Sequence, residues 1–422
     1  MKNTKQIILA FLLAVTNLLA LGCGKPSSES PLLWVRQFGS VGDFDDVATA
    51  VSQTGDIYLC GYTSGLFTGQ TDQGIQDAFI SCFDSNGKER WIRQFSSKPD
   101  TYAKAIAADA QGIYIGGYTT GAFAGQSNAG LIDAFVARLD LQGNIVWVRQ
   151  FGGVGDDYAY AISINTGGIY VAGVTYDSLP GQPLIGGSDA FICKYSFDGD
   201  NLWIRQLGSK ENDYCYGVYA DDSGVYAVGT TYGAFPGQVN AGGSDGFIQA
   251  YDNGGTALWA RQLGTAANDY LNAIAGENGD LYVTGVTYGE FPSQLNAGGA
   301  DFFVSRLNSK GEVAWISEAG SPSTDFAWAC SAQNGIQVTG YTAGALAGKN
   351  KGGYDAYSAR FGTDGKLTGI EQFGTSQDDY AKGILAGPGG AYICGATRGR
   401  FVGGGSPNGT REDAFIARIS FE

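Results

Sequence analysis

Asp133-Ala134-Phe135-Val136-Ala137-Arg138-Leu139 returns, with small changes, throughout this chain. The other copies start at Asp77, Asp189, Asp245, Asp301, Asp355 and Asp413, so successive starts lie 56, 56, 56, 56, 54 and 58 residues apart. A fixed period of this size marks one supersecondary unit stacked on copies of itself, because no single unit can bury its own apolar faces. Further signposts keep constant offsets. Gly-x-Thr closes an apolar run at Gly61, Gly117, Gly173, Gly229, Gly285, Gly340 and Gly395. Trp34, Trp91, Trp147, Trp203, Trp259 and Trp315 each open an alternating stretch, and Gly369 fills the seventh such slot.

The runs are short, rich in Val, Ile, Tyr and Phe, and bounded by Gly, Asp and Asn, which is strand chemistry. In the third copy they fall at 158–164, 169–175, 189–195 and 203–207, named strands A to D. Tight turns such as Asp198-Gly199-Asp200 join C to D, with glycine supplying the positive φ. The fold class that follows is all-β: a seven-bladed β-propeller of four-stranded antiparallel blades. The phase of the repeat adds a sharper expectation. The ordered chain starts on a lone D strand, Trp34 to Phe38, and ends on a C strand from Asp413. The N-terminal strand therefore completes the last blade, and residues 33–38 should pair with 413–420, removing the free edges.

The first 22 residues stand apart. Lys2 and Lys5 precede an apolar stretch, Ile7 to Leu21, broken by Thr16 and Asn17 and short for a membrane span. It ends Ala20-Leu21-Gly22-Cys23, which resembles a bacterial lipobox, with Ala20 in place of the usual Leu. The resemblance implies a lipoprotein signal peptide over 1–22, lipidation at Cys23, a polar tether over 23–31 and the propeller over 32–422. Gly24 after the cysteine fits sorting to the outer membrane, so the protein is expected to be exported as an outer-membrane or cell-surface lipoprotein. An ordinary secreted protein with a free cysteine is the alternative.

The net charge of −15 argues against nucleic acid or anionic lipid as the main partner, and leaves the lipid as the expected membrane contact. The chain has no histidine, which removes Ser-His-Asp and Cys-His catalysis and His-ligated zinc or haem. No Gly-x-x-x-x-Gly-Lys-Ser/Thr loop occurs. Six cysteines lie inside strands: Cys60, Cys82, Cys193, Cys215, Cys330 and Cys394. Most read as small core side chains, and Cys60 with Cys82, on adjacent strands of one blade, is the expected disulfide if any forms.

The whole chain after the tether resembles the SBBP repeat proteins, a family named for a seven-bladed β-propeller. The resemblance rests on Gly-(Ile/Leu/Ala)-Tyr-(Val/Ile)-x-Gly-x-Thr, then Phe-x-Gly-Gln, then Asp-Ala-Phe-(Val/Ile)-x-(Arg/Lys)-Leu, as in Gly168 to Thr175 and Asp189 to Tyr195. It implies a bacterial, exported propeller and no particular activity. Asp84-Ser85-Asn86-Gly87 with Trp91 is more diffusely similar to the tryptophan motif of quinoprotein propellers, where it locks blades. No matching cofactor pocket is legible, so no cofactor is expected.

The seven Asp-Ala-Phe aspartates read as structural acceptors for the loop before strand C. A second set ends the loop into strand A: Asp46, Asp157, Asp213, Asp269, Asp325 and Asp379, with Asp100-Thr101 in the second blade. These read as turn caps; as a ring near the channel they are also a candidate cation site. Function is sought where the blades differ. Two residues after the aromatic of strand A, the copies read Thr49, Lys104, Tyr160, Tyr216, Asn272, Trp328 and Lys382. The last six are the candidate ligand-binding residues. The expected function is a non-enzymatic binding or scaffold module of the cell envelope, engaging a protein or polysaccharide. A carboxylate-based glycosidase or lyase, needing two unequal acids, and an outer-membrane assembly scaffold are the alternatives.

Overall fold

The structure, a computed structural model, describes residues 31–71, 74–402 and 411–421. The leader and Cys23 lie outside the described residues, as does all of the tether except Pro31. Seven four-stranded antiparallel sheets make up the fold, and six of them are contiguous in sequence. In blade 3 strands A to D are Asp157–Asn165, Gly168–Thr175, Asp189–Tyr195 and Asn201–Leu207, paired in that order. The seventh sheet is sewn from both ends of the chain. Its outer strand, Leu32–Phe38, pairs antiparallel with Asp413–Ile419, from Trp34 opposite Arg418 to Phe38 opposite Ala414. The ring is therefore closed as the repeat phase predicts, and no blade is left without its fourth strand.

The core is divided among the blade interfaces. Among the described residues seven apolar clusters occur, each joining two neighbouring blades. Strand C is buried on both faces, as in Asp133–Leu139, because each blade is covered on either side. The outer strands add a lock. The Trp147 indole donates to the Phe197 carbonyl of the next blade's C–D turn at 3.1 Å, and Arg149 donates to Gly199 O at 2.9 Å. Trp203 and Arg205 repeat this on Asn253 and Gly255, and Trp259 with Arg261 on Ser309 and Gly311. Gly199, at φ 87°, lets the indole lie on the turn: a Cβ there would stand 3.0 Å from Trp147.

Asp133, Asp189, Asp245, Asp301 and Asp355 of the Asp-Ala-Phe set take backbone N–H donors from the preceding loop, as expected, such as Ile185 and Gly186 onto Asp189. The set also has a partner that the sequence reading missed. A glutamine from strand D reaches across, with Gln206 Nε2 donating to Asp189 Oδ2 at 2.9 Å while its oxygen accepts the Leu179 N–H at 3.0 Å. Gln37, Gln94, Gln150, Gln262 and Gln372 do the same in their blades. Blade 5 has Glu318 in that slot. One Glu318 oxygen accepts the Phe291 N–H, and the other, where the amide NH2 belongs, has no partner.

The expected Cys60–Cys82 disulfide is not formed; both thiols are free and buried. Register is the reason. Cys60 pairs with Ile80 and Cys82 with Tyr58, so the two are diagonal neighbours, about 7–8 Å apart in such a ladder and beyond disulfide reach. The other four described cysteines are also free, and burial pushes the Cys60 and Cys215 thiols up to about 12.

Candidate functional site

Strand A of every blade carries one extra residue. In blade 3, Ala159 pairs with Gly173 and Ala161 with Ala172, so Tyr160 has no partner on strand B. The same shift falls between Ala48 and Ala50, Ala103 and Ala105, Cys215 and Gly217, Leu271 and Ala273, Ala327 and Ala329, and Ala381 and Gly383. The residues skipped are Thr49, Lys104, Tyr216, Asn272, Trp328 and Lys382. The positions singled out by their variability are thus seven β-bulges, devices that turn a side chain away from the regular pleat. Small buried residues on either side, such as Ala159 and Ala161, let the innermost strands crowd the axis.

All seven side chains meet. They line one cavity of about 220 Å³ at the centre of the ring. A second space of about 180 Å³ is lined by the same seven and by the two residues after six of them, such as Ala161 and Ile162, with Ala329 alone after Trp328. The bulge residues therefore border both spaces.

The ring is chemically lopsided. Blades 7, 1 and 2 supply Lys382, Thr49 and Lys104. Blades 3 and 4 supply Tyr160 and Tyr216, whose rings lie 5.7 Å apart, and blades 5 and 6 supply Asn272 and Trp328. Thr49 donates to the Ala103 carbonyl at 2.9 Å and Asn272 to Ala327 O at 2.8 Å, tying each to the neighbouring blade. Lys104 Nζ stands 5.4 Å from the Tyr62 ring, and Lys382 Nζ 5.8 Å from Trp328 and 5.6 Å from Tyr380. Burial, with the nearby Lys382 ammonium second, brings the Lys104 pKa down to about 8. Burial also lowers Lys382, against a weaker pull from Glu412. Trp328 keeps 40% of its surface exposed.

Around this ring runs a belt of tyrosines that the sequence reading did not single out. Tyr158 and Tyr214 stack on Tyr160 and Tyr216 at 5.8 and 6.1 Å. Tyr176, Tyr232 and Tyr288 meet Tyr158, Tyr214 and Tyr270 edge-on, each at 6.3 Å. The belt continues through Tyr62, Tyr102 and Tyr118 on one side and Tyr341 and Tyr380 on the other. A signal was present: Gly-x-Thr-Tyr in three consecutive repeats, ending at Tyr176, Tyr232 and Tyr288.

The six aspartates before strand A are not arranged as a cation cage. Each is buried in its own blade junction. Asp213 accepts the Ser209 N–H at 2.7 Å and its hydroxyl at 3.1 Å; Asp46, Asp269, Asp325 and Asp379 repeat the pattern with Ser40, Thr265, Ser321 and Thr375. Asp157 takes the Gly153 N–H. Among the described residues no three His, Cys, Asp or Glu side chains converge to hold a metal. Burial raises Asp46, Asp157, Asp213 and Asp379 to about 6, against hydrogen bonds that pull the other way.

No family model matches the chain. It is 25% identical to the regulatory protein FlaEY of Caulobacter vibrioides, over an alignment of 408 residues covering 90% of this chain and 38% of that protein. Among solved structures it is similar to the WD40 β-propeller domain of Doa1, with a TM-score of 0.51 at 8% identity, covering 92% of this chain and 97% of that one. The Pan2 WD40 domain of Neurospora crassa follows at a TM-score of 0.49 and 11% identity, over 92% and 96% of the two chains. At these identities the likeness is one of fold.

Proposed function

We propose that this protein is a non-enzymatic binding propeller of the cell envelope, anchored through lipid on Cys23, which holds a protein or polysaccharide partner at the mouth of its channel. One observation carries this reading: the bulge position, whose side chain changes chemical class from blade to blade, supplies all seven residues that line one cavity. A structural frame has no need for variety at one position per blade, whereas recognition of an asymmetric ligand does. The tyrosine belt supports it, since aromatic groups with a polar tip suit surfaces that are wetted and then covered. Among the described residues the cavity lining contains no carboxylate, and that favours binding over acid-pair hydrolysis at this place. The distant regulatory relative agrees with a binding or scaffold role, and the chain spans only 38% of its length.

The test has two arms. Envelope extract is passed over the immobilised propeller and over a Tyr160→Ala/Tyr216→Ala variant of equal melting temperature, and the same pair is applied to a glycan array. Retention of a component by the first protein and not by the second supports the reading; identical retention removes the channel as the site. The anchor is tested by detergent-phase partitioning, where Cys23→Ser should move the protein to the aqueous phase.

A further inference from the structure

The lysines are the oddest members of the ring. This is an acidic protein, with −15 net charge, and yet the two cationic bulge residues stand on either side of Thr49 in the lining of the central cavity. Neither Lys104 nor Lys382 forms an ion pair among the described residues. The groups acting on them are Lys382 on Lys104, the thiols of Cys60 and Cys394, and Glu412, whose carboxylate is the largest opposing pull on Lys382. Two desolvated ammonium groups lining one cavity, with a carboxylate acting on only one of them, cost free energy that an anion between them recovers.

The rest of the ring says which anion. Phosphate sites combine lysine point charges with arginine forks or nests of backbone N–H groups, and the ring supplies neither fork nor nest. Lysine pairs suit a carboxylate as point charges. Tyr160, Tyr216 and Trp328 present flat apolar faces of the kind on which the C–H face of a pyranose packs, and the Asn272 side-chain oxygen is left to accept a hydroxyl, its NH2 being bound to Ala327. A volume of about 220 Å³ equals the liquid share of roughly seven waters. That fits one sugar ring and is small for an aromatic peptide end together with its backbone.

We propose that the channel cavity takes one acidic sugar residue of a polysaccharide, a pyranose bearing a carboxylate, with the carboxylate between Lys104 and Lys382 and the ring against Tyr160, Tyr216 and Trp328. This rests on the binding reading above and names the ligand class for the same cavity.

Isothermal titration with oligomers of galacturonate and glucuronate, and with neutral oligomers of galactose and glucose, tests it at low and high salt. Acidic oligomers should bind at least tenfold more tightly than neutral ones, and more weakly at high salt. Lys104→Met/Lys382→Met, which keeps the apolar stems against Tyr62 and Trp328, should abolish that preference, and Trp328→Ala should weaken every saccharide. Melting temperature guards against misfolded variants, and the single Lys104→Met serves if the double variant is unstable. Equal binding of acidic and neutral oligomers overturns the acidic-sugar assignment and leaves the binding site standing. So does displacement of Trp328 fluorescence only by peptides with free C-terminal carboxylates. If neither saccharides nor peptides bind, both the assignment and the channel site fall.

Discussion

Glu318→Gln should make this protein more stable, and by an amount that grows with pH. In six blades a strand-D glutamine amide donates to the Asp-Ala-Phe carboxylate at 2.7–3.0 Å. In blade 4 the same amide also donates to Gly233 O at 2.9 Å. Glu318 can give one such bond when protonated and none when ionised. Burial, with Asp301 as a smaller contribution, lifts its pKa from the ordinary 4.5 to about 7. A shift of that size is worth ~3 kcal/mol at full strength, and solvent screening of a half-buried carboxyl reduces it to about 1–2 kcal/mol. Because the folded-state pKa is raised, the favourable contribution of this group is complete below about 4.5 and is lost as pH climbs through about 7. Glutamine has no such loss. The variant should therefore gain about 1–2 kcal/mol at pH 8.5, read as a rise of roughly 1–2 °C in melting temperature for a chain of this size, and well under 1 kcal/mol at pH 5.5. Calorimetry at both pH values is the assay. Gln262→Glu should do the reverse, costing stability at pH 8.5 and little at pH 5.5. A gain that is the same at both pH values, or a variant less stable than the parent at pH 8.5, would refute the shared-slot account.

Three further outcomes follow from the described contacts. Deleting residues up to Phe38 removes the strand paired with Asp413–Ile419 and bares that edge, so light scattering should show dimers or aggregates where the parent is monodisperse. The thiols of Cys60, Cys82, Cys193, Cys215 and Cys394 are buried and unpaired, so they should react with a thiol reagent within seconds in guanidinium and over hours or longer in the native state. The raised junction aspartates add a second pH effect: with Asp46, Asp157, Asp213 and Asp379 at about 6, their favourable contribution is lost as pH rises through 6, so the parent should melt higher at pH 5 than at pH 8. Asp213→Asn, which keeps an acceptor for Ser209, should flatten that slope, and an unchanged slope in both Asp213→Asn and Asp379→Asn counts against burial as its cause.

How far the sequence reaches depends on whether a residue serves the repeat or the register. Asp133, Trp147 and Gly173 serve the repeat, so their spacing alone places four strands per unit and closes the ring. The bulge residues are legible for the opposite reason: Tyr160 or Lys104 stands out because its neighbours stay small or apolar from blade to blade while it changes chemical class, and convergence follows from sevenfold geometry. Register and cross-blade reach are different. Cys60 and Cys82 sit on adjacent strands, but a two-residue offset in pairing, invisible in composition, decides that they miss each other. Gln206 and Asp189 are 17 residues apart and meet only because strands C and D pair in one register. Tyr176 lies one step past its strand, where alternation no longer tells which way a side chain faces.

Gly369 shows the two kinds of information meeting. Every other outer strand has a tryptophan there because each indole rests on the C–D turn of the next blade, as Trp315 rests on Gly365 and donates to Thr363 O at 3.0 Å. Blade 6 faces blade 7, whose C and D strands come from opposite ends of the chain, so no turn exists for an indole to cover. Phe421 occupies the space instead: a Cβ at Gly369 would lie 2.9 Å from its ring, and Arg360 donates to its carbonyl at 3.2 Å. The one tryptophan missing from the sequence thus marks the seam of the ring. The lapse in the repeat and the closure of the fold have one cause, the placement of the chain's two ends between strands C and D of the last blade.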